Sequence, residues 1–254
     1  MNWQNIKVSA DNTHFIFDGK QIFGRQFFEV LKFHSPGLAP VQDESGSYHI
    51  DTSGKQLYAD RFTRTFGFYC NRAAVVKADK WFHITDKGQR AYTNSYSWTG
   101  NYQENLCTVR DDNNQYFHID LNGNRIYEQN YIYAGDYKDG IACVKSQDGF
   151  YKHIDNKGNF INEKSFLDLG IFHKNFATAK DIDGWHHIDK DGNQIYKERY
   201  LAIEPFYNGF ALVTQFDNQK IIIDESGKKI LNTLPPTKNT LLKTAASQRY
   251  DQSF

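Results

Sequence analysis

Gly184-Trp185-His186-His187-Ile188-Asp189-Lys190-Asp191-Gly192 decides the reading of this chain, because near-copies of it return along the whole sequence. Counterparts of its last glycine are Gly19, Gly54, Gly88, Gly123, Gly158 and Gly227; with Gly192 they are separated by 35, 34, 35, 35, 34 and 35 residues. Five positions before these glycines stand His14, His49, His83, His118, His153 and His187, with Ile222 in the seventh copy. Three positions before them stand Asp51, Asp120, Asp155, Asp189 and Asp224, while Ile16 and Thr85 break the pattern. A fixed period of this length is the signature of a propeller, solenoid or other repeat array.

Each repeated position has a physical reason. Ile50, Ile84, Ile119, Ile154 and Ile188 alternate with the His and Asp, so they face one side of a strand and the polar pair faces the other. Asp-x-x-Gly is hairpin chemistry: the carboxylate accepts turn N–H bonds and the glycine takes positive φ. Leu57-Tyr58, Ile126-Tyr127 and Ile195-Tyr196 follow the turn and read as the start of a return strand. Aromatics recur eight positions after the glycine: Phe27, Phe62, Tyr96, Tyr131, Phe166 and Tyr200. A second block then reads aromatic-x-x-Gly/Asn-x-Ala/Cys-x-Val/Ala, as in Phe68-Asn71-Ala73-Val75, Tyr102-Asn105-Cys107-Val109 and Tyr137-Gly140-Ala142-Val144. Its small residues imply another backbone close by.

Trp-x-x-Ile-Asp-x-x-Gly followed by Phe-x-x-Gly-x-Ala-x-Val resembles the bacterial WG β-repeat family, over roughly residues 6–231. The departure is the His after Trp185-His186 and Trp81-Phe82, where the family has Gly next to Trp; this marks a His-bearing variant. The resemblance implies an all-β repeat architecture and an interaction role, and it supplies no catalytic residue. Among its implications is a recognition or regulatory module for a separately encoded enzyme such as a methyltransferase.

The expected architecture is therefore all-β, with seven repeats of about 35 residues forming a seven-bladed β-propeller. An open β-hairpin solenoid is the alternative. A strand before the first copy, Ile6-Lys7-Val8, and no connector after the seventh suggest termini that complete one another. Residues 1–234 read as one domain, since each repeat needs its neighbours to bury its apolar face. Residues 235–254 read as a polar tail after Pro235-Pro236. Pro36 and Pro40 cannot donate to a central ladder, which places their segment at an edge.

The 30 basic and 30 acidic residues cancel, which argues against nucleic acid or an anionic membrane as main partner. Cys70, Cys107 and Cys143 are too few and too unevenly placed for a disulfide framework. The N-terminus has no signal-peptide pattern and no apolar run spans a membrane, so a cytoplasmic location is expected. Export without an N-terminal signal is the alternative.

The repeat histidines are the one constellation with chemistry on offer. Imidazole binds metals and titrates near neutrality, so a ring of them could take a metal or an anion, or sense pH. The plainer reading is structural: a residue demanded in every repeat serves what every repeat needs. His173 and His186 fall outside the register and join His14, His49, His83, His118, His153 and His187 as candidate ligand-binding residues. Metal spacings, nucleophile elbows, phosphate loops and dinucleotide fingerprints are absent, so neither catalysis nor a cofactor is expected. Arg61, Arg64, Arg72, Lys77 and Lys80, with Phe66, Phe68 and Tyr69, read either as a patch for an acidic partner or, more plainly, as a solvated face over core aromatics. Connectors such as Ser97–Tyr102, Tyr131–Tyr137 and Glu204–Gly209 either present rings to a ligand or form strands of their repeats. The expected function is a monomeric, non-enzymatic scaffold that binds a protein or peptide through its connectors.

Overall fold

In a computed structural model of the chain, which describes residues 1–232, seven small antiparallel sheets follow one another in sequence. The first holds Lys7–Val8, Phe15–Phe17 and Lys20–Gln21; the second Glu29–Val30, Ala39–Asp43 and Gly46–Ile50. The third holds Arg64–Tyr69, Arg72–Lys77 and Lys80–Ile84; the fourth Trp98–Thr99, Cys107–Arg110 and Tyr116–Ile119. Tyr133–Ala134, Ile141–Lys145 and Tyr151–Asp155 make the fifth, and Asp168–Leu169, Ala177–Asp181 and Gly184–Ile188 the sixth. The seventh has four strands, Ala202–Ile203, Phe210–Thr214, Lys220–Asp224 and Lys229–Asn232. The expected tail, residues 235–254, lies outside the described residues.

The register explains the small-residue position. Ala39 faces Ile50, Ala73 faces Ile84, Cys107 faces Ile119 and Ala177 faces Ile188. Each of these isoleucines has zero exposure, contributing about 1.5–3 kcal/mol of burial. One position along, His49 faces Pro40, His83 faces Ala74, His118 faces Thr108 and His187 faces Thr178. The turns close as their sequence requires: Asp51 Oδ1 accepts the backbone N–H of Ser53 and of Lys55, and Asp189 Oδ1 those of Asp191 and Asn193.

Two expectations are corrected. Residues after the turn form no return strand in the second to sixth repeats. Isolated bridges mark each place, two to a repeat, as with Ile50–Gln56 and Ser47–Phe62 or Ile154–Phe160 and Tyr151–Phe166. A period of about 35 residues leaves too little chain for a fourth strand before the next connector begins. Pro40 stands in the middle strand of the second sheet, not at an edge. Its neighbouring first strand ends at Val30, so its missing N–H breaks no ladder there, while its carbonyl accepts from Leu31 N–H at 3.0 Å. Two of the aromatic connectors supply first strands, Trp98–Thr99 and Tyr133–Ala134, whereas Glu204–Gly209 holds none and lies between the strands Ala202–Ile203 and Phe210–Thr214.

The chain divides into two compact units, Met1–Val144 with Asn156–Gly158, and Lys145–Asp155 with the chain from Asn159 onward. Cores in the first unit lie between successive sheets, as where Phe15 meets Val41, Tyr48 and Ile50, or Phe62 meets Phe68, Val75 and Ile84. In the second unit Tyr196, Tyr200, Phe206, Val213, Ile221 and Ile223 pack together. No helix among the described residues is long and apolar enough to cross a membrane.

Candidate functional site

Four of the repeat histidines on the third strands, His49, His83, His118 and His187, are engaged at both ring nitrogens. In four repeats Nδ1 lies 2.5 Å from the hydroxyl of the tyrosine nine residues on: His49 with Tyr58, His83 with Tyr92, His118 with Tyr127 and His187 with Tyr196. Nε2 lies 2.7 Å from Phe66 O, 3.0 Å from Gly100 O, 2.8 Å from Gly135 O and 2.9 Å from Glu204 O respectively. His153 makes the same contact with Gly170 O at 2.8 Å. A carbonyl can only accept, so Nε2 carries the proton and Nδ1 accepts from the tyrosine. Every one of these carbonyls belongs to the first strand of the next sheet or to the residue following it. The imidazole therefore staples one repeat to the next.

The remaining repeated residues complete this joint. The aromatic of the second sequence block lies on the preceding repeat's imidazole: Phe68 on His49 at 4.7 Å, Tyr102 on His83 at 4.7 Å, Tyr137 on His118 at 4.5 Å, Phe172 on His153 at 4.5 Å and Phe206 on His187 at 3.9 Å. Each stapling tyrosine also covers the turn glycine of the following repeat. Gly88 faces Tyr58, Gly123 faces Tyr92, Gly158 faces Tyr127 and Gly227 faces Tyr196, and in each case a Cβ on the glycine would collide with the ring. The fifth repeat departs from this: Asn162 replaces the tyrosine, and its amide donates to Lys190 O at 3.3 Å beside Gly192.

Burial sets the proton affinity of these groups. Desolvation draws His49, His83, His118, His153 and His187 down to about 4, against the small upward effect of the carbonyl hydrogen bond. The same burial raises Tyr58, Tyr92, Tyr127 and Tyr196 above the usual phenol range. At neutral pH the joint is a neutral imidazole between a phenol donor and an amide acceptor. Among the described residues no group of three or more His, Cys, Asp or Glu side chains could hold a metal ion.

The other candidate histidines differ from one another. His14 is partly exposed, with Nδ1 3.1 Å from Thr13 Oγ1. His173 packs on Tyr207 at 5.0 Å and lines a cavity of about 110 Å³ with Phe176, Phe206 and Glu225. His186 occupies the position held by Tyr48 in the second repeat, and is buried. Its Nδ1 has no hydrogen bond; Asp181 Oδ2, itself held by Arg199, lies 3.7 Å away. Burial and, next, the Arg199 charge lower its proton affinity.

A further recurrent device is invisible as a single repeated residue, because it alternates between two positions. Arg61 donates to Ala59 O at 3.0 Å, Asp60 O at 3.1 Å and Gln56 Oε1 at 2.8 Å, over the ring of Tyr48 at 3.9 Å. Arg125 donates to Glu128 O at 3.1 Å, Gln129 O at 3.0 Å and Asn130 Oδ1 at 2.7 Å, over Phe117 at 3.9 Å. Arg199 pairs with Gln194 Oε1 at 2.7 Å, and Arg90 with Ser95 Oγ at 2.5 Å. The arginine thus stands either two or seven positions after the turn glycine, with a polar partner at the other site. This guanidinium gathers the loop carbonyls that no strand satisfies.

The basic-aromatic segment resolves accordingly. Phe66 and Phe68 are buried, Arg61 is a clip, Arg72 Nε donates to Leu121 O at 3.4 Å and Lys80 pairs with Asp112 at 2.7 Å. Lys77 and Lys80 also line a cleft of about 670 Å³, shared with Lys87 and Arg90.

A profile of the WG containing repeat matches residues 50–81 and 188–218. No curated protein sequence matches the chain. Among solved structures, a eukaryotic initiation factor is 10% identical, with 91% of this chain and 73% of that one covered at a TM-score of 0.60. BamB from Moraxella catarrhalis is 12% identical over 92% of this chain and 86% of its own, at a TM-score of 0.49. Sqt1 from Saccharomyces cerevisiae is 11% identical over 89% and 81%, at 0.46. Such identities bear on the fold alone, which is all-β and of the β-propeller class.

Proposed function

We propose that the chain, whose residues 50–81 and 188–218 match the WG containing repeat, is a non-enzymatic, monomeric scaffold, one array over residues 1–234, that binds a protein or peptide through its connectors. The observation that carries this is the exposure pattern at one repeat position, nine residues after the turn glycine. There Phe28 is 68% exposed, Ile132 42%, Leu167 44% and Leu201 46%, where Thr63 and Ser97 are polar. Large apolar side chains left in water at the start of successive connectors favour contact with another macromolecule. The recurrent histidines, by contrast, are assigned to the scaffold, since their ring nitrogens are already bonded within it.

The test is affinity capture from lysate of the source cells by the whole chain and by its Leu167→Ser/Leu201→Ser variant. A saturable partner held by the parent and lost by the folded variant is expected. Equal capture by both would overturn the connector reading.

A further inference from the structure

The third repeat carries a set of charges that no other repeat has. Its cleft of about 670 Å³ is lined by Lys77, Lys80, Lys87 and Arg90, above Phe62 and Phe82. Relative to the turn glycine these cations stand eleven and eight residues before it, one before it, and two after it. The same four places read Asp43, Gly46, Ser53 and Gln56 in the second repeat, and Asp112, Gln115, Asn122 and Arg125 in the fourth. In the sixth they read Asp181, Gly184, Asp191 and Gln194. A scaffold requirement would recur in every copy. Arg90 meets such a requirement, as the clip that Arg125 supplies in the fourth repeat, whereas three lysines gathered in one copy answer to something outside the fold.

Their surroundings leave Lys77 and Lys87 available. All four side chains are exposed. Lys80 has Asp112 as an ion-pair partner; among the described residues Lys77, Lys87 and Arg90 have none. Asp60 is the one carboxylate in the cleft lining. The aromatic floor fixes one cation: the guanidinium carbon of Arg90 lies 4.0 Å from the centroid of the Phe82 ring, with Nη2 bonded to Ser95. Cations lining one cleft repel, and a bound anion relieves that repulsion.

We infer that this cleft binds an acidic peptide segment of a protein partner, its carboxylates meeting Lys77, Lys80, Lys87 and Arg90 and its apolar groups covering the edges of Phe62 and Phe82. The inference rests on the scaffold reading and deepens it. A peptide fits better than a nucleic acid, because the chain as a whole is uncharged and the cations are confined to one cleft. The open volume also exceeds what a single small anion fills.

The test is fluorescence anisotropy with a labelled peptide of Asp, Glu and Tyr about ten residues long, at about 50 mM salt, where surface charges are weakly screened. The proteins are the parent, Lys77→Gln/Lys87→Gln, and a control, Lys55→Gln/Lys138→Gln, which removes two exposed lysines elsewhere in the first unit. Saturable binding to the parent, about tenfold weaker in K77Q/K87Q and within about twofold in the control, is expected. No saturable binding, or equal losses in both variants, overturns the inference. Inorganic pyrophosphate that binds the parent, depends on Lys77 and Lys87 and is matched by no peptide binding would overturn the peptide occupant in favour of a small anion. Unchanged melting temperatures establish that the variants fold. The scaffold reading is judged separately: a lysate partner lost by L167S/L201S and kept by K77Q/K87Q sustains it while sinking the cleft.

Discussion

The ring of Tyr58 lies over Gly88 so closely that a Cβ on that glycine would come within 2.5 Å of it. Gly88 also has a φ of +76°, so two independent constraints fall on one residue. Gly149 separates them: its φ is +87°, and an added Cβ would meet nothing within 4 Å. Gly149→Ala is expected to cost about 1 kcal/mol from backbone strain alone. Gly88→Ala adds the collision with the ring and is expected to cost about 2–4 kcal/mol. Urea unfolding of the two variants side by side checks this; equal losses would mean that the tyrosine gives way freely.

Removing one hydroxyl should expose the staple's asymmetry. Tyr92→Phe leaves the ring over Gly123 but strands the buried Nδ1 of His83 without a donor. The expected cost is about 1–3 kcal/mol, the penalty of a buried unpaired acceptor. The comparison variant is Tyr207→Phe, whose side chain is 58% exposed and whose change is expected within about 0.5 kcal/mol. Thermal melts of both would read the difference.

Acid should loosen the whole array. Five histidines take up a proton only near pH 4 when folded, against an ordinary value of 6.5. The unfolded chain therefore binds more protons in that window, and stability is fully present above 6.5 and lost as pH falls toward 4. Each histidine contributes a slope of about 1.4 kcal/mol per pH unit. The urea midpoint is expected to fall steeply between pH 7 and pH 5. A flat midpoint over that range would refute the buried neutral imidazoles.

The arginine clip predicts a rescue. Arg125→Gln removes the donors to Glu128 O and Gln129 O and is expected to destabilise by about 1–2 kcal/mol. Adding Asn130→Arg recreates the arrangement of the second and sixth repeats, Gln56 with Arg61 and Gln194 with Arg199. Most of the loss should return in the double variant. If N130R adds a further loss instead, the two arrangements are not interchangeable.

The architecture was legible in the sequence because its signals are local. The Asp-x-x-Gly turn, the alternating isoleucine and the Ala-x-Val strand each report on a neighbour a few residues away. The histidine was legible as a position and not as a role. Its donor is nine residues on and its acceptor seventeen on, in the next repeat, where no local period points. Tyr58 and its equivalents stood in the segment read as a return strand, yet they turn toward the imidazole. The clip escaped because Arg61 and Arg125 occupy different repeat positions, so neither column looks constant. The four cations of the third repeat were visible only in part: Lys77 and Lys80 fell in a basic run, while Lys87 and Arg90 lay beyond a strand and a turn.

The staple has a direction. Each imidazole donates to a carbonyl on its C-terminal side, and none of the five bonds runs backward. Every boundary between stapled copies therefore offers the same socket to whatever follows, as a coupling does on a train. Two copies are cars without this hook: the first, whose His14 bonds Thr13 Oγ1, and the seventh, with Ile222 in place of the histidine.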